Sequence, residues 1–192
     1  MDKLDEIMKI IEIRNGICLS REKFQPIYEQ LIPCKKDKNE LISQIGDIDK
    51  KLSILIDGII RLYYIDLDGN DITRYFGERG CISGGSSDSL PYAVETLVPS
   101  EFLTADWDNI KSILRNDIYW IRIWNQLLQN SIRYKIYRES CFLMKSATER
   151  YIDFRRMHPE LEEQVSQAHI ASYLGITPVS LSRIRRTIRD ER

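Results

Sequence analysis

The chain has 192 residues, the length of one large domain or two small ones. With 43% hydrophobic and 30% charged residues, its composition is that of an ordinary folded globular protein, which excludes a disordered or fibrous chain. The formal net charge of −1 excludes a uniformly basic polyanion binder, so any basic surface has to be local.

The cysteines and the opening segment bear on the compartment of the protein. Cys18, Cys34, Cys81 and Cys141 are too far apart for a CxxC pair, which argues against a zinc ribbon, a redox dithiol or an iron–sulfur centre. The opening residues MDKLDEIMKIIEIRNG are charged throughout, unlike a signal peptide. No stretch approaches the ~20 apolar residues of a membrane helix. We therefore expect a cytoplasmic protein without a membrane partner.

The N-terminal half is predicted to be a short helix followed by a block of strands. Apolar residues recur at helical spacing in residues 4–13. Residues 41–106 are rich in Ile, Leu and Tyr and are cut by Gly at short intervals, which is typical of the short strands of a sandwich or barrel. Within this block, DLDGND predicts a β-hairpin turn. Residues 83–92, SGGSSDSLPY, have the composition of a loop.

A long helix is predicted over about residues 108–144, where the chain has neither Gly nor Pro. Apolar residues recur there at intervals of three, four or seven: Ile110, Ile113, Leu114, Ile118, Ile121, Leu128 and Ile132. This stripe outlasts the ~10–14 residues of an average helix. Leu127 and Ile136 widen it, so we expect it to pack both on its own domain and on a second copy of the chain. Trp107, Trp120 and Trp124 are assigned to the core or to the dimer interface.

A second, small domain is predicted after the long helix. Ser146, with Glu149 three residues later, has the capping-box pattern that begins a new helix. Farther along, the chain fits a helix-turn-helix aligned on Gly175. The inner positions of that motif all hold small or apolar residues: Ile170, Ala171, Leu174, Ile176, Leu181 and Ile184. Thr177 is placed to cap the second helix, with Pro178 at its first position.

The outward face of this second helix is polar and basic. At about 100° per residue, the positions opposite the apolar side are Val179, Ser182, Arg183, Arg186 and Asp190, with Arg185 at the flank. Between Gln164 and Arg189 there are four arginines and no acidic residue, so the local net charge is +4. This is the footprint of a DNA-contacting element. The alternative is a helical hairpin that only closes a domain, with its arginines solvated.

Two segments resemble the CRP/FNR superfamily of regulators. LSILIDGIIRLYYIDLDGNDITRYFGERGCI is similar to the central hairpin region of their β-roll, and ERYIDFRRMHPELEEQVSQAHIASYLGITPVSLSRIRR is similar to their DNA-binding part. The resemblance implies an α+β fold with an N-terminal β-roll of the jelly-roll type, a long central dimerisation helix and a C-terminal helix-turn-helix. It implies a sensor domain at 1–145 and a DNA-binding domain at 146–192. The implied partners are double-stranded DNA, a second copy of the chain and RNA polymerase.

The chain departs from the family pattern in its phosphate cassette. Where cyclic-nucleotide binders place a Glu for the ribose and an Arg for the cyclic phosphate, this chain has SGGSSDSLPYAVE. A buried phosphate without its arginine is costly, so we expect no tight binding of cyclic AMP. The backbone amides of Gly84, Gly85 and Ser86 can still form an anion nest. An effector pocket for an unidentified small molecule is predicted from Arg61, Arg74, Ser83, Gly84, Gly85, Ser86 and Tyr92.

A second departure concerns the end of the motif. The family places a β-hairpin wing after the recognition helix, and the sequence stops a few residues past that helix, so we expect the wing to be truncated or absent.

The predicted DNA contacts fall into three groups. Phosphates are assigned to Gln167, His169 and Thr177. Base edges are assigned to Val179, Ser180 and Arg183, with Arg183 on guanine O6 and N7. Ser182, Arg185 and Arg186 are assigned to either.

No catalytic or metal site is predicted. His158 and His169 lack partners at metal-ligand spacing, and there is neither a nucleophile–base pair nor a Gly-rich phosphate loop with Lys. The chain is therefore not expected to be an enzyme, and no cofactor is assigned. Two other classes remain. One is a ligand-binding or protein-interaction β-roll with a vestigial DNA-binding end. The other is a cupin-like enzyme, disfavoured because residues 41–106 contain no histidine.

Overall fold

The structure is a computed structural model that describes residues 2–85 and 88–190. Within these residues, helices occupy both ends of the chain and eight strands lie between them. The N-terminal and strand elements are α1 (Lys3–Asn15), α2 (Arg21–Tyr28), β1 (Ile32–Lys36), β2 (Leu41–Ser43), β3 (Lys51–Asp57), β4 (Ile60–Ile65), β5 (Asp71–Gly77), β6 (Ile82–Gly84), β7 (Ala93–Thr96) and β8 (Ser100–Asp106). The remaining helices are α3 (Trp107–Arg115), α4 (Ile118–Met144), α5 (Ala147–Met157), α6 (Leu161–Gln164), α7 (Gln167–Leu174) and α8 (Pro178–Asp190).

The described strands form two four-stranded sheets. Their orders are β1-β8-β3-β6 and β2-β7-β4-β5. In the first sheet, β8 pairs antiparallel with both β1 and β3, and β3 pairs antiparallel with β6. Consecutive strands along the chain thus often lie in different sheets, as in a jelly roll. The predicted α+β fold with an N-terminal β-roll is confirmed.

The predicted hairpin joins β4 and β5. At its turn the Asp66 carboxylate accepts the backbone N–H groups of Asp68 and Asn70, at 2.9 and 2.8 Å. Gly69 adopts φ +84°, in the left-handed region that glycine tolerates best. The predicted turn is therefore present, with glycine at the position that needs the left-handed conformation.

Two elements near the N-terminus were not predicted from the sequence. The segment around α2 was not predicted to be helical because it contains Pro26. It nevertheless forms a helix capped by Ser20, whose hydroxyl accepts the Lys23 N–H at 3.4 Å. Phe24 and Ile27 of this helix are buried in the core. Burial of such side chains stabilises a short helix more than its own propensity does. The strand β1, with Pro33 inside it, forms on the edge of its sheet, where a proline is tolerated.

The long central helix is confirmed, but it begins at Ile118 rather than near Asp108. A separate helix, α3, ends at Arg115, and Asp117 starts the new one. The Asp117 carboxylate accepts the Tyr119 N–H at 2.9 Å and pairs with Lys23 Nζ at 2.6 Å. An aspartate side chain that caps a helix start competes with continuation of the preceding helix. The break therefore follows from Asp117 and its distant partner.

The chain packs as two compact units, Met1–Leu62 with Phe76–Ile132, and Tyr63–Tyr75 with Arg133–Arg192. The core of the first unit joins α1 to the strands and to α3, and it includes Ile7, Ile11, Ile54, Leu103 and Ile110. The second unit buries residues of α5 to α8, among them Tyr151, Phe154, Leu161, Ile170, Tyr173 and Leu181. It also contains the tip of the β4–β5 hairpin.

The predicted boundary between residues 145 and 146 coincides with the junction of α4 and α5. The predicted capping box is present there. The Ser146 N–H donates to the Glu149 carboxylate at 2.8 Å, and the Glu149 N–H donates to the Ser146 hydroxyl at 3.3 Å. As a boundary between a sensor domain and a DNA-binding domain, this position stays a prediction.

Candidate nucleic-acid interface

The helix-turn-helix consists of α7 and α8, joined at Gly175. This glycine has φ +67°, and its N–H donates to the Ser172 carbonyl at 3.0 Å. The Ile176 N–H donates back to the Ala171 carbonyl, also at 3.0 Å, which closes the end of α7. A Cβ at position 175 would lie 2.7 Å from the Phe142 ring. Both backbone conformation and packing therefore require glycine at the turn.

The inner positions of the motif are buried as the alignment predicts. Ile170, Ala171, Leu174 and Leu181 are at most 1% exposed, and Ile176 and Ile184 are half-buried. Ala171 is completely buried, so a larger side chain at this position would have to displace its neighbours. The small and apolar residues of the motif thus hold α7 and α8 at one fixed separation.

Both helices of the motif begin at a side-chain cap. The Thr177 hydroxyl accepts the Ser180 N–H at 3.1 Å, and Pro178 occupies the first helical position, as predicted. The Ser180 hydroxyl lies 3.0 Å from the Thr177 hydroxyl, so it takes part in the cap. The start of α7 is capped by Ser166, which accepts the His169 N–H at 3.2 Å and was not predicted. Capped N-termini leave further N–H groups free to meet an anion such as a DNA phosphate.

The outward face of α8 is exposed. Val179 is 61% exposed, and Ser182, Arg183 and Arg186 are exposed as well. At the start of α7, Gln167 is exposed and His169 is half-buried. The predicted contact residues other than Arg185 thus lie along the outer face of α8 or at the start of one of the two helices. The side chain of Asp190 lies outside the described residues.

Arg185 takes a different position from the other arginines of α8. Its Nη2 lies 3.0 Å from Glu162 Oε1, and its side chain is only 31% exposed. The rotation of the helix places Arg185 at the flank, but only the fold brings a carboxylate to it. Arg185 as a DNA contact stays a prediction.

The predicted effector residues are spread over several strands. Arg61 in β4 is buried, and its Nε lies 2.8 Å from Glu95 Oε1 in β7. A buried arginine paired with a carboxylate is electrically compensated, so a ligand anion would have to compete with Glu95. Arg74 in β5 and Tyr92 just before β7 are half-buried, as is Ser83 in β6. Arg61 in β4 and Arg74 in β5 belong to one sheet, whereas Ser83 and Gly84 in β6 belong to the other.

The two glycines of the SGG sequence have a packing role. The Gly85 N–H donates to the Lys51 carbonyl at 3.0 Å, so this amide is already used and drops out of the predicted anion nest. A Cβ at Gly84 would lie 2.0 Å from the same carbonyl oxygen, and one at Gly85 would lie 2.9 Å from the Trp107 ring. Glycine at both positions therefore allows this segment to lie close to β3 and to α3. Ser86, the third residue of the predicted nest, lies outside the described residues.

The predicted apolar stripe divides into two faces. Ile110, Ile113, Leu114, Trp120 and Leu127 belong to the core of the first unit or pack against it. A second face of α4 is exposed, with Ile118, Ile121, Trp124, Leu128, Ile132 and Ile136 between 36% and 63% exposed. The spacing of three or four residues puts this second set on one side of the helix. We call these six residues the exposed α4 face.

The described residues contain neither a metal-binding cluster nor a membrane-spanning helix. Residues 2–85 and 88–190 hold no cluster of three or more His, Cys, Asp or Glu side chains suited to a metal ion. In the same residues, no helix has both the length and the apolar character to span a bilayer. Cys18, Cys34, Cys81 and Cys141 are unbridged thiols.

Comparison by sequence finds no family model and no curated protein that matches the chain. Comparison by structure finds close likeness. FixK2 from Bradyrhizobium japonicum superposes with a TM-score of 0.76 at 18% identity, covering 84% of this chain and 85% of that one. A candidate transcriptional regulator of the CRP/FNR family from Eubacterium rectale gives 0.71 at 19% identity, covering 90% and 85%. The catabolite activator protein of Thermus thermophilus gives 0.57 at 17% identity, also covering 90% and 85%. The chain has the CRP/FNR fold.

Proposed function

We propose that this chain is a dimeric, sequence-specific DNA-binding transcription regulator of the CRP/FNR type. The observation that carries the proposal is the outer face of α8, which is exposed, rich in arginine and free of acidic side chains up to Arg189. In a chain of net charge −1, the exposed Arg183, Arg186 and Arg189 create a local positive field that attracts the phosphate backbone.

The geometry of α8 supports contacts to base edges by some of its residues and contacts to phosphates by others. The major groove admits one α-helix, whose N-terminal residues meet the base edges. Val179 and Arg183 lie at the start and one turn along the exposed face, with Ser180 between them. Arg186, nearly one turn farther, is better placed for a phosphate. Gln167, His169 and Thr177 lie in the first turn or at the cap of their helices, where phosphates bind. Ser182 suits either partner.

A second copy of the chain is the proposed occupant of the exposed α4 face. Six large apolar side chains on one side of a 27-residue helix form a long apolar stripe. Their spacing of three and four residues is that of a helix–helix seam. A dimer also supplies the two recognition helices that a helix-turn-helix reader needs for two half-sites. Such a regulator works in the cytoplasm, with RNA polymerase as a further partner, and is not an enzyme.

The effector of the β-roll is a small molecule other than cyclic AMP. The cassette lacks the Glu and Arg that hold the ribose and cyclic phosphate, and Arg61 is occupied by Glu95. We expect calorimetry to show no binding of cyclic AMP at micromolar concentration. A sub-micromolar dissociation constant would contradict this expectation and would require another basic group in place of the missing arginine, with Arg61 and Arg74 as the candidates.

The second candidate function is a β-roll that binds a ligand or a protein and carries a vestigial DNA-binding end. The pairing of Arg185 with Glu162 favours it, because this pair compensates one of the four arginine charges of α8. This candidate predicts weak or absent binding to every DNA duplex.

A DNA-binding titration tests the proposal. An operator is first selected from random duplexes, and fluorescence anisotropy then follows binding to that operator and to random DNA at several salt concentrations. We expect the logarithm of the affinity to fall linearly with the logarithm of the salt concentration, with a slope of several units. A double variant, Arg183→Ala with Arg186→Ala, is the control and should lose most of the binding. Failure of the unaltered chain to bind any duplex at low salt would support the second candidate.

A further inference from the structure

Glu162 occupies a distinctive position in the second unit. It lies in α6, five residues before the start of α7, and its side chain is only 15% exposed. Its carboxylate oxygen Oε1 accepts the Tyr151 hydroxyl of α5 and lies 3.0 Å from Arg185 Nη2 of α8. The other oxygen, Oε2, lies 2.9 Å from Arg155 Nε, also of α5. One carboxylate thus connects three helices.

The charges of this cluster are arranged to hold the two arginines in place. Arg155 and Arg185 are 38% and 31% exposed, so both guanidiniums are partly removed from water. A carboxylate with little solvent access attracts such groups more strongly than a surface carboxylate does. The planar guanidinium also keeps a fixed direction when it pairs with a carboxylate oxygen. The position of Arg185 is therefore determined by Glu162 rather than by solvent.

The pair adds a second fixed point to α8. Leu181 is fully buried and fixes one side of the helix. Arg185 follows it by four residues, about one turn, and is tied at the flank. Arg183 lies between these two fixed points and is exposed. A helix held at two points on its inner side presents a constant outer face.

We propose that Glu162 is a positioning residue for base readout. By holding Arg185 away from the DNA phosphates, it fixes the rotation of α8 so that Arg183 meets the base edges. Arg185 is then an anchor of the recognition helix and not a DNA contact. The inference rests on the proposed DNA-binding function and goes beyond it, because it assigns selectivity to a residue that does not touch DNA.

The salt dependence of binding separates an anchor from a contact. If Arg185 contacted a phosphate, Arg185→Met would reduce the salt slope by about one unit and leave selectivity unchanged. As an anchor, Arg185→Met leaves the slope unchanged and lowers the ratio of operator to random-DNA affinity by about tenfold, equivalent to about 1.4 kcal/mol. Glu162→Gln keeps the shape and removes the charge, so it releases Arg185 toward the DNA. We expect a steeper salt slope, by up to about one unit, and a similar loss of selectivity.

The experiment uses the full chain and anisotropy titrations on the operator and on random DNA at several salt concentrations. The variants are Glu162→Gln, Arg185→Met, Arg185→Lys and the double variant Glu162→Gln with Arg185→Met. Glu163→Gln is the matched control, because Glu163 is the exposed neighbour on the same short helix. All titrations are made below the unfolding temperature of every variant. Arg185→Lys keeps the charge and is expected to retain part of the selectivity. If Glu162→Gln does not fold, Arg185→Lys takes its place as the test of the ion pair.

The outcomes distinguish this inference from the proposed function. In the Arg185→Met background, Glu162→Gln should have little further effect on selectivity, because both act through the same ion pair. Full selectivity in Arg185→Met with a slope lower by one would make Arg185 a phosphate contact and overturn the inference alone. Unchanged selectivity in both single variants would also overturn it. An unaltered chain that binds no duplex would overturn the proposed function and this inference with it.

Discussion

The hydroxyl of Ser172 in α7 accepts the backbone N–H of Thr73 in β5, with 2.9 Å between the two heavy atoms. The same hydroxyl donates to the Asp71 carbonyl at 3.1 Å. The strand β5 lies at the edge of its sheet, and strand edges carry N–H and C=O groups that need partners. A side chain of the helix-turn-helix therefore supplies hydrogen bonds that a neighbouring strand supplies elsewhere in a sheet. All three residues belong to the second compact unit.

Substitution of Ser172 should destabilise this unit. Ser172→Ala removes an acceptor and a donor at a partly buried position, and each lost hydrogen bond costs about 1 kcal/mol. We expect the free energy of unfolding, measured in urea, to fall by about 1–2 kcal/mol. Ser131→Ala, at an exposed serine of α4, is the control and should change little. Equal stability of the two variants would contradict a role for the Ser172 hydroxyl.

Arg183 and Arg186 should have different effects on DNA binding. Both are exposed on α8, but Arg183 lies nearer the N-terminus of the helix, where base edges are read. Arg183→Ala should cost about 1–3 kcal/mol on the operator and relax the preference at one base position per half-site. Arg186→Ala should weaken binding to all sequences alike and reduce the salt slope by about one unit.

These two variants are compared on the operator, on its single-base variants and on random DNA. A uniform loss for Arg183→Ala, with selectivity intact, would make Arg183 a phosphate contact. If neither variant lost affinity, the outer face of α8 would no longer support the proposed function.

A charge on the exposed α4 face should dissociate the dimer. Leu128 is 46% exposed in the single chain, and Leu128→Glu places a carboxylate in both halves of the proposed seam. Burial of one leucine contributes about 1.5–3 kcal/mol and a symmetric seam buries two of them, so the dissociation constant should rise at least about 100-fold. Sedimentation at micromolar concentration is the measurement. Ile13→Glu, at an exposed isoleucine of α1, should leave the dimer intact, and a dimer that survives Leu128→Glu would place the interface elsewhere.

Acid should destabilise the chain through Asp153. The hydrogen bond from Lys145, together with the Tyr137 hydroxyl at 2.9 Å, holds the pKa of the Asp153 carboxyl below its ordinary value. A carboxyl whose pKa is lower in the folded state stabilises the fold above its unfolded pKa of about 4. That contribution is lost as the pH falls through the lower folded pKa.

The variant Asp153→Asn tests this pH dependence. At pH 7 it should lower the free energy of unfolding by about 1 kcal/mol, because the pairs with Lys145 and Arg156 are partly exposed to solvent. The difference from the unaltered chain should shrink as the pH falls below 4. Urea titrations between pH 7 and pH 3 measure it. Asp57→Asn, at an exposed aspartate of β3, is the control, and a difference that stays constant with pH would exclude ionisation as the cause.

Much of the fold and of the candidate site could be predicted because the deciding interactions are short-range. The Thr177 cap, the Ser146–Glu149 capping box and the Asp-Gly turn each join residues within three or four positions of one another. Helical periodicity likewise predicts which side of α8 is exposed, because rotation per residue depends on the helix alone. The motif, its turn glycine and the basic outer face could therefore be predicted from the sequence.

Only the tertiary structure decided which charged and polar groups meet. Asp117 begins α4 with help from Lys23, 94 positions away, and Ser172 meets Thr73 across 99 positions. Glu95 compensates Arg61, and Glu162 supplies the carboxylate partner of Arg185 at the flank of α8. No pattern within one element encodes such a partner. Local sequence thus determined the elements and their faces, since backbone geometry repeats over a few residues. The pairing of distant side chains depended on how those elements pack, because charge compensation and hydrogen bonding act through space.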